Sequence, residues 1–185
     1  ITLTDRTYIV RDRLDEQLYQ CYPALLKTLK AINNDITCAD LTPDGSLLVT
    51  GGRKNTIDIW DIESGKCVKS FDEVDSYPVC LAVTPDARIA VSGRSNNSVR
   101  IWDLSKGICL HTLYGHTERV RCCSISTDGS FAVTGGDDHL VILWDIKSGR
   151  KKQVLPYHQG AVCTLKTSLN GKYIFSGGED KTGVL

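Results

Sequence analysis

Four side chains in the chain invite a chemical reading: His116, Thr134, Asp138 and Trp144. An imidazole, a hydroxyl and a carboxylate are the parts of a nucleophilic relay, in which an acid orients the base and the base takes the hydroxyl proton. His158, Ser176 and Asp180 repeat the first three at the same spacings, 18 and 22 residues after the histidine. That recurrence weighs against an active site, which needs polar residues converging from non-equivalent positions. The same groups suit a structural task, because a buried polar group left unpaired costs about 1–3 kcal/mol. Nothing else supplies catalytic machinery. Gly51-Gly52, Gly135-Gly136 and Gly177-Gly178 lack the Lys-Ser/Thr of a phosphate-binding loop, and no metal-ligand spacing or nucleophile motif is present.

The elements that must position these residues form an internal repeat. Trp60, Trp102 and Trp144 lie 42 residues apart, each followed by Asp and an aliphatic residue. The segments beginning at Thr42, Thr84, Ser126 and Ser168 (TPDGSLLVTGG, TPDARIAVSGR, STDGSFAVTGG, SLNGKYIFSGG) keep the same phase. Each copy reads as four short strands. In the third, Val120–Ile125, Phe131–Thr134, Val141–Trp144 and a run ending at Leu155 are separated by turns rich in Gly, Asp and Ser, which is hairpin chemistry. A four-stranded antiparallel unit of 42 residues buries its faces by stacking on its neighbours, as a propeller blade does.

The Trp-Asp pairs, Gly115-His116, the weaker Tyr157-His158 and the turns at Asp138 and Asp180 resemble the WD-repeat β-propeller family over nearly the whole chain. The resemblance implies an all-β propeller of four-stranded antiparallel blades. It also implies that His116, Thr134, Asp138 and Trp144 form a structural hydrogen-bond chain, with His158, Ser176 and Asp180 as its counterpart one copy later. The first two copies depart from the pattern: Ile32 and Val74 stand at the His place, and Lys54 and Asn96 at the Asp place. Their loops must be held by other contacts. The expected division is a divergent partial blade over 1–35, full blades over 36–77, 78–119 and 120–161, and a partial blade over 162–185. In the first, Asp5–Val10 and the segment around Leu29 supply third and fourth strands, with Arg11 at the Trp place. A rival helix through Leu14, Leu18, Cys21, Leu25 and Leu29 is disfavoured by Pro23, which costs about 3 kcal/mol inside a helix. Three blades and two parts imply a piece of a longer chain or of a multiprotein complex.

Composition narrows the partners. The 185 residues are 41% apolar and 24% charged, with 22 Lys+Arg against 22 Asp+Glu. That balance argues against non-specific nucleic-acid binding and against a polybasic membrane surface, and no apolar run reaches the length of a membrane-spanning helix. No cofactor is expected. Cys38, Cys80 and Cys122 stand at equivalent places in successive copies, as do Cys67 and Cys109, so the eight cysteines read as small core residues of a protein from a reducing compartment, cytoplasm or nucleus.

On a propeller, the loop before each first strand and the loop between second and third strands share one rim. That rim carries Asn34, Asp35, Arg53, Lys54, Asp75, Tyr77, Arg94, Asn96, Glu118, Arg119, Asp137, Gln159 and Glu179. Arg53, Lys54, Arg94 and Arg119 suit carboxylate or phosphate oxygens of an acidic or phosphorylated peptide, and Tyr77 could anchor it. The plainer account is a solvated rim whose charges are balanced by Asp75, Glu118 and Asp137. The expected function is a non-catalytic scaffold for, or recogniser of, other proteins and peptides. The alternative is the sensing or substrate-receptor region of a larger enzyme or regulator, such as a signalling NTPase or a ubiquitin ligase.

Overall fold

Short runs of β-branched and aromatic residues, interrupted by Gly, Asp and Asn, pair here with their sequence neighbours and with little else. A computed structural model describes residues 7–10, 27–30, 35–72 and 75–185 of the chain. The first pair, β1 (Thr7–Val10) and β2 (Lys27–Lys30), is antiparallel with Tyr8 opposite Leu29. A four-stranded sheet follows, β3 (Ile36–Leu41), β4 (Leu47–Gly52), β5 (Thr56–Asp61) and β6 (Lys66–Asp72), hydrogen-bonded in chain order. The next two repeat it: β7 (Pro78–Val83), β8 (Ile89–Arg94), β9 (Val99–Asp103) and β10 (Ile108–Leu113), then β11 (Val120–Ile125), β12 (Phe131–Gly136), β13 (Val141–Asp145) and β14 (Arg150–Leu155). The last sheet has three described strands, β15 (Val162–Thr167), β16 (Ile174–Gly178) and β17 (Gly183–Val184). Arg11 and the Leu14–Leu25 segment with Cys21 and Pro23 lie outside the described residues, as do Ile32, Asn34 and Val74.

No sheet covers its own faces. Each hydrophobic cluster is shared between neighbours: Val49, Ile57 and Ile59 with Leu81, Val83 and Trp102, and Val91, Val99 and Ile101 with Val120, Ile142 and Trp144. Cys122, Val133 and Val141 meet Val162 and Leu165 in the same way. The inner strands also bond across blades. The Thr37 hydroxyl donates to the Pro78 carbonyl at 2.5 Å, and the Val83 N–H donates to Asp40 Oδ2 at 2.8 Å. This is the stacking that a blade too thin for its own core requires.

One close approach sets the spacing. A Cβ on Gly135 would stand 2.6 Å from Val162 Cγ1 of the next blade and 2.9 Å from Cys122 Sγ of its own. Gly51 meets Pro78 and Cys38 the same way, at 2.5 and 2.8 Å. A glycine on the second strand thus admits the first residue of the following blade, and a small thiol fits beside it. That accounts for cysteine at the repeat period in β3, β7 and β11.

The expectation that the cysteines are core residues needs correction. Cys122 is buried and Cys38, Cys80 and Cys123 are half-buried, but Cys67, Cys109 and Cys163 are exposed, and all seven are free thiols. Cys67 and Cys109 sit on β6 and β10, the outermost strands of their sheets, where most side chains face water. Periodicity makes two positions equivalent without making either buried.

Candidate functional site

In the third blade β12 carries Thr134, β13 carries Trp144, and the β12–β13 turn carries Asp138, while His116 comes from the loop leading into β11. His116 Nδ1 lies 2.9 and 3.0 Å from the two Asp138 carboxylate oxygens, and its Nε2 lies 2.7 Å from Thr134 Oγ1. The Trp144 indole N–H donates to the same hydroxyl oxygen at 2.8 Å. Asp138 also accepts from the backbone N–H of Thr117 and of Leu140. The polarity of the relay follows. A carboxylate only accepts, so Nδ1 carries the hydrogen; Nε2 then accepts from the Thr134 hydroxyl, whose oxygen accepts from the indole. This polarity requires a neutral imidazole, which burial favours: it is the main cause that lowers the His116 pKa below its ordinary value even though Asp138 pulls the other way.

The fourth blade builds the same set. His158 Nδ1 is 2.9 Å from Asp180 Oδ2 and Nε2 is 2.8 Å from Ser176 Oγ. Burial works to raise the Asp180 pKa, but hydrogen bonds from the Gln159 and Thr182 N–H groups and the Thr182 hydroxyl outweigh it and hold the carboxyl far below its ordinary value.

The order of hydrogen bonds is that of a hydrolytic triad, and access decides what it can do. Thr134 is 0% exposed and Ser176 5%. The Thr134 oxygen already accepts the buried Trp144 indole N–H. A nucleophile needs a substrate against it, so Thr134 pins the indole, the imidazole and the turn together. Among the described residues no group of three His, Cys, Asp or Glu side chains is placed to hold a metal.

The first two blades keep only the inner half of the relay. The Trp60 N–H donates to Thr50 Oγ1 at 3.0 Å and the Trp102 N–H to Ser92 Oγ at 3.2 Å. Without Asp, the turn after β8 closes on Asn96 Oδ1, which accepts from the Ser98 hydroxyl at 2.7 Å.

Arg94 is the second correction. Expected on the rim, it is 0% exposed, and its guanidinium donates to the Ser76 carbonyl. Arg94 stands at the end of β8, where the third and fourth blades have Gly136 and Gly178. A Cβ on Gly136 would come within 3.2 Å of both His116 Nδ1 and Asp138 Oδ1. Where the blade has its histidine the strand end must be glycine. The second blade has Val74 at the His place, and an arginine side chain turns inward from the glycine place to hold the loop before β7.

The rim itself is real. The N–H groups of Arg53, Ser95, Asp137 and Glu179 in the second-to-third-strand turns donate to the carbonyls of Asp35, Tyr77, Arg119 and Ala161 in the loops before the first strands. Arg53, Lys54 and Arg119 are exposed, and the Arg53 guanidinium lies 5.4 Å from the centre of the half-buried Tyr77 ring. Two of the three carboxylates expected to balance the rim, Asp75 and Asp137, serve other arginines. Asp75 is 3.7 Å from Arg100, and Arg121 pairs with Asp137 and, at 2.6 Å, with Glu179. Arg121 was invisible as a rim residue because it belongs to β11; its one signal was a charge within an otherwise small and apolar strand.

A family model described as "WD domain, G-beta repeat" matches residues 23–61, 65–103, 107–145 and 149–184. The chain belongs to the WD-repeat family. Each WD-repeat match is offset from a blade: residues 65–103 run from β6, the outer strand of one sheet, through β7, β8 and β9 of the next. The chain is 33% identical over 55 residues to WD repeat-containing protein 18 of Rattus norvegicus, which covers 30% of this chain and 13% of that protein. With the Homo sapiens protein of the same name it shares 34% over 44 residues, 24% of this chain and 10% of that one. Two solved structures, "Crystal structure of RRP9 WD40 repeats" and "Structure of U3-55K", match 84% of the chain with a TM-score of 0.73 and 20% identity. The chain covers 52% and 53% of those two chains, so it spans about half their length. These likenesses show the WD-repeat propeller fold.

Proposed function

We propose that this WD-repeat chain is a non-catalytic interaction module that scaffolds or recognises other proteins through its rim, and that the ligand is an acidic or phosphorylated peptide. One observation carries the reading. The side chains with catalytic chemistry are sealed inside the blades at the repeat period, while the exposed cations Arg53, Lys54 and Arg119 are not periodic and lie on the rim, Arg53 ordered by stacking on Tyr77. An arginine held over an aromatic ring keeps its donors free for an oxyanion. Free thiols at every described cysteine fit a reducing compartment, cytoplasm or nucleus.

Fluorescence polarisation with an acidic peptide, with and without phosphoserine, tests it. Arg53→Glu, Lys54→Glu and Arg119→Glu together weaken binding about tenfold or more, a loss of roughly 1.4 kcal/mol, while Arg88→Glu on the opposite rim leaves it unchanged. Binding indifferent to the rim changes sinks the assignment. The rival catalytic reading predicts that His116→Ala abolishes an activity without lowering the melting temperature.

A further inference from the structure

The outer strand of the third blade differs from its equivalents. β14 ends its sheet, and among the described residues it pairs with β13 alone, so half of its backbone N–H and C=O groups face outward. Its first three residues are Arg150, Lys151 and Lys152, all exposed, with Lys147 exposed in the turn before them. The acid nearest in sequence, Asp145, pairs with Lys152 at 3.6 Å. The distal half is different: Val154 is 37% exposed, and Tyr157, just past the strand, 63%. Neither β6 nor β10 carries three consecutive basic residues. On β6 two lysines, Lys66 and Lys69, are separated by Cys67 and Val68, and Lys69 donates to the Ser105 carbonyl of the next blade at 2.8 Å; β10 has no Lys, Arg, Asp or Glu, and its His111 contacts the Lys147 carbonyl.

We propose that the open edge of β14 docks an extended segment of a partner protein, acidic in its C-terminal half and β-branched in its N-terminal half, as a fifth strand antiparallel to β14. Every described strand pair is antiparallel, and the same pairing on the open edge fixes the polarity. A neighbour running antiparallel sets its C-terminal half beside Arg150–Lys152 and its N-terminal half beside Gln153–Leu155. Six residues at about 3.3 Å each give an edge of about 20 Å, enough for a six- or seven-residue segment. Lysines on an edge strand repel a second copy of the same edge, and the same charge selects an acidic strand, whose main chain supplies affinity and whose side chains supply register. This surface adjoins the rim at Tyr157 but uses none of Arg53, Lys54 and Arg119, and stands without them.

The probe is a peptide labelled at its N-terminus, fluorescein-Gly-Thr-Val-Thr-Val-Glu-Thr-Glu-Glu-amide, titrated into the full chain. Binding is expected in the micromolar range and weakens as salt rises. The same residues in reverse order, and a copy methylated at alternate backbone nitrogens, bind about tenfold more weakly or worse. Arg150→Gln, Lys151→Gln and Lys152→Gln together weaken the peptide about tenfold with the melting temperature unchanged. Hydrogen exchange slows at Arg150–Leu155 in the complex, and the rim substitutions have no effect. Equal binding of the reversed or methylated peptide, or of a single-stranded oligonucleotide of equal charge, would reduce the patch to non-specific polyanion attraction and overturn the proposal. So would the absence of binding by any peptide, which leaves the lysines as a guard against edge pairing.

Discussion

Replacing Thr134 by Val keeps the shape of the side chain and removes the one atom on which the relay turns. Thr134 Oγ1 accepts from the Trp144 indole at 2.8 Å and faces His116 Nε2 at 2.7 Å, in a place with no exposure at all. Valine leaves an indole donor and an imidazole acceptor buried without partners. At about 1–3 kcal/mol for each, the loss is about 2–6 kcal/mol. Thr134→Ser keeps both bonds and removes a methyl group, for about 1 kcal/mol. Thr50→Val in the first blade strands only the Trp60 N–H, for about 1–3 kcal/mol. The assay is urea unfolding followed by tryptophan fluorescence and by circular dichroism, with midpoints compared at constant m. The order of damage should be Thr134→Val, then Thr50→Val, then Thr134→Ser. In heat, the first lowers the melting temperature by about 5–15 °C for a chain of this length. If Thr134→Val is no worse than Thr134→Ser, the hydroxyl bridges nothing of consequence and the structural account of His116 and Asp138 fails.

Arg94→Ala removes a buried guanidinium from the Ser76 carbonyl and should cost about 2–4 kcal/mol, measured by the same titration; a surface-like loss under about 0.5 kcal/mol would return Arg94 to the rim. Ala87→Gly should stabilise by about 0.5–1 kcal/mol, because Ala87 holds φ +53° where the equivalent Gly45, Gly129 and Gly171 lie at +66° to +69° and glycine alone adopts that region freely; a loss of stability contradicts it. The pH dependence has a definite sign. Burial holds the folded His116 pKa below its ordinary 6.5, so the unfolded chain binds more protons below about pH 6.5 and stability falls as pH drops from there toward the folded value. Between pH 8 and 5, His116→Gln should flatten that part of the slope in the urea midpoint; an unchanged slope refutes it.

The architecture was legible because its cause is local and repeated. Tryptophans 42 residues apart, turn residues in phase and runs of β-branched side chains specify four short antiparallel strands per unit, and no single unit can bury both faces, so stacking follows from sequence alone. The hydrogen-bonded set around His116 was readable for the same reason: a residue's partner lies at a fixed offset within one repeat. Burial was not readable, because it depends on what the neighbouring blade brings. Arg94 carries the side chain of a rim residue at the place of an interior glycine, and only packing against the second blade's loop turns it inward. Cys67 and Cys38 look alike in sequence; one lies on an outer edge and the other beside Gly51 under the next blade's first residue. Arg121 gains Asp137 and Glu179, and Asp75 serves Arg100 rather than the rim, because strand pairing and the stacking of the next blade bring together charges that no spacing announces. Periodicity determines which positions are equivalent, and tertiary structure decides what each equivalent position touches, since an interface between blades is made of two different sequences at once.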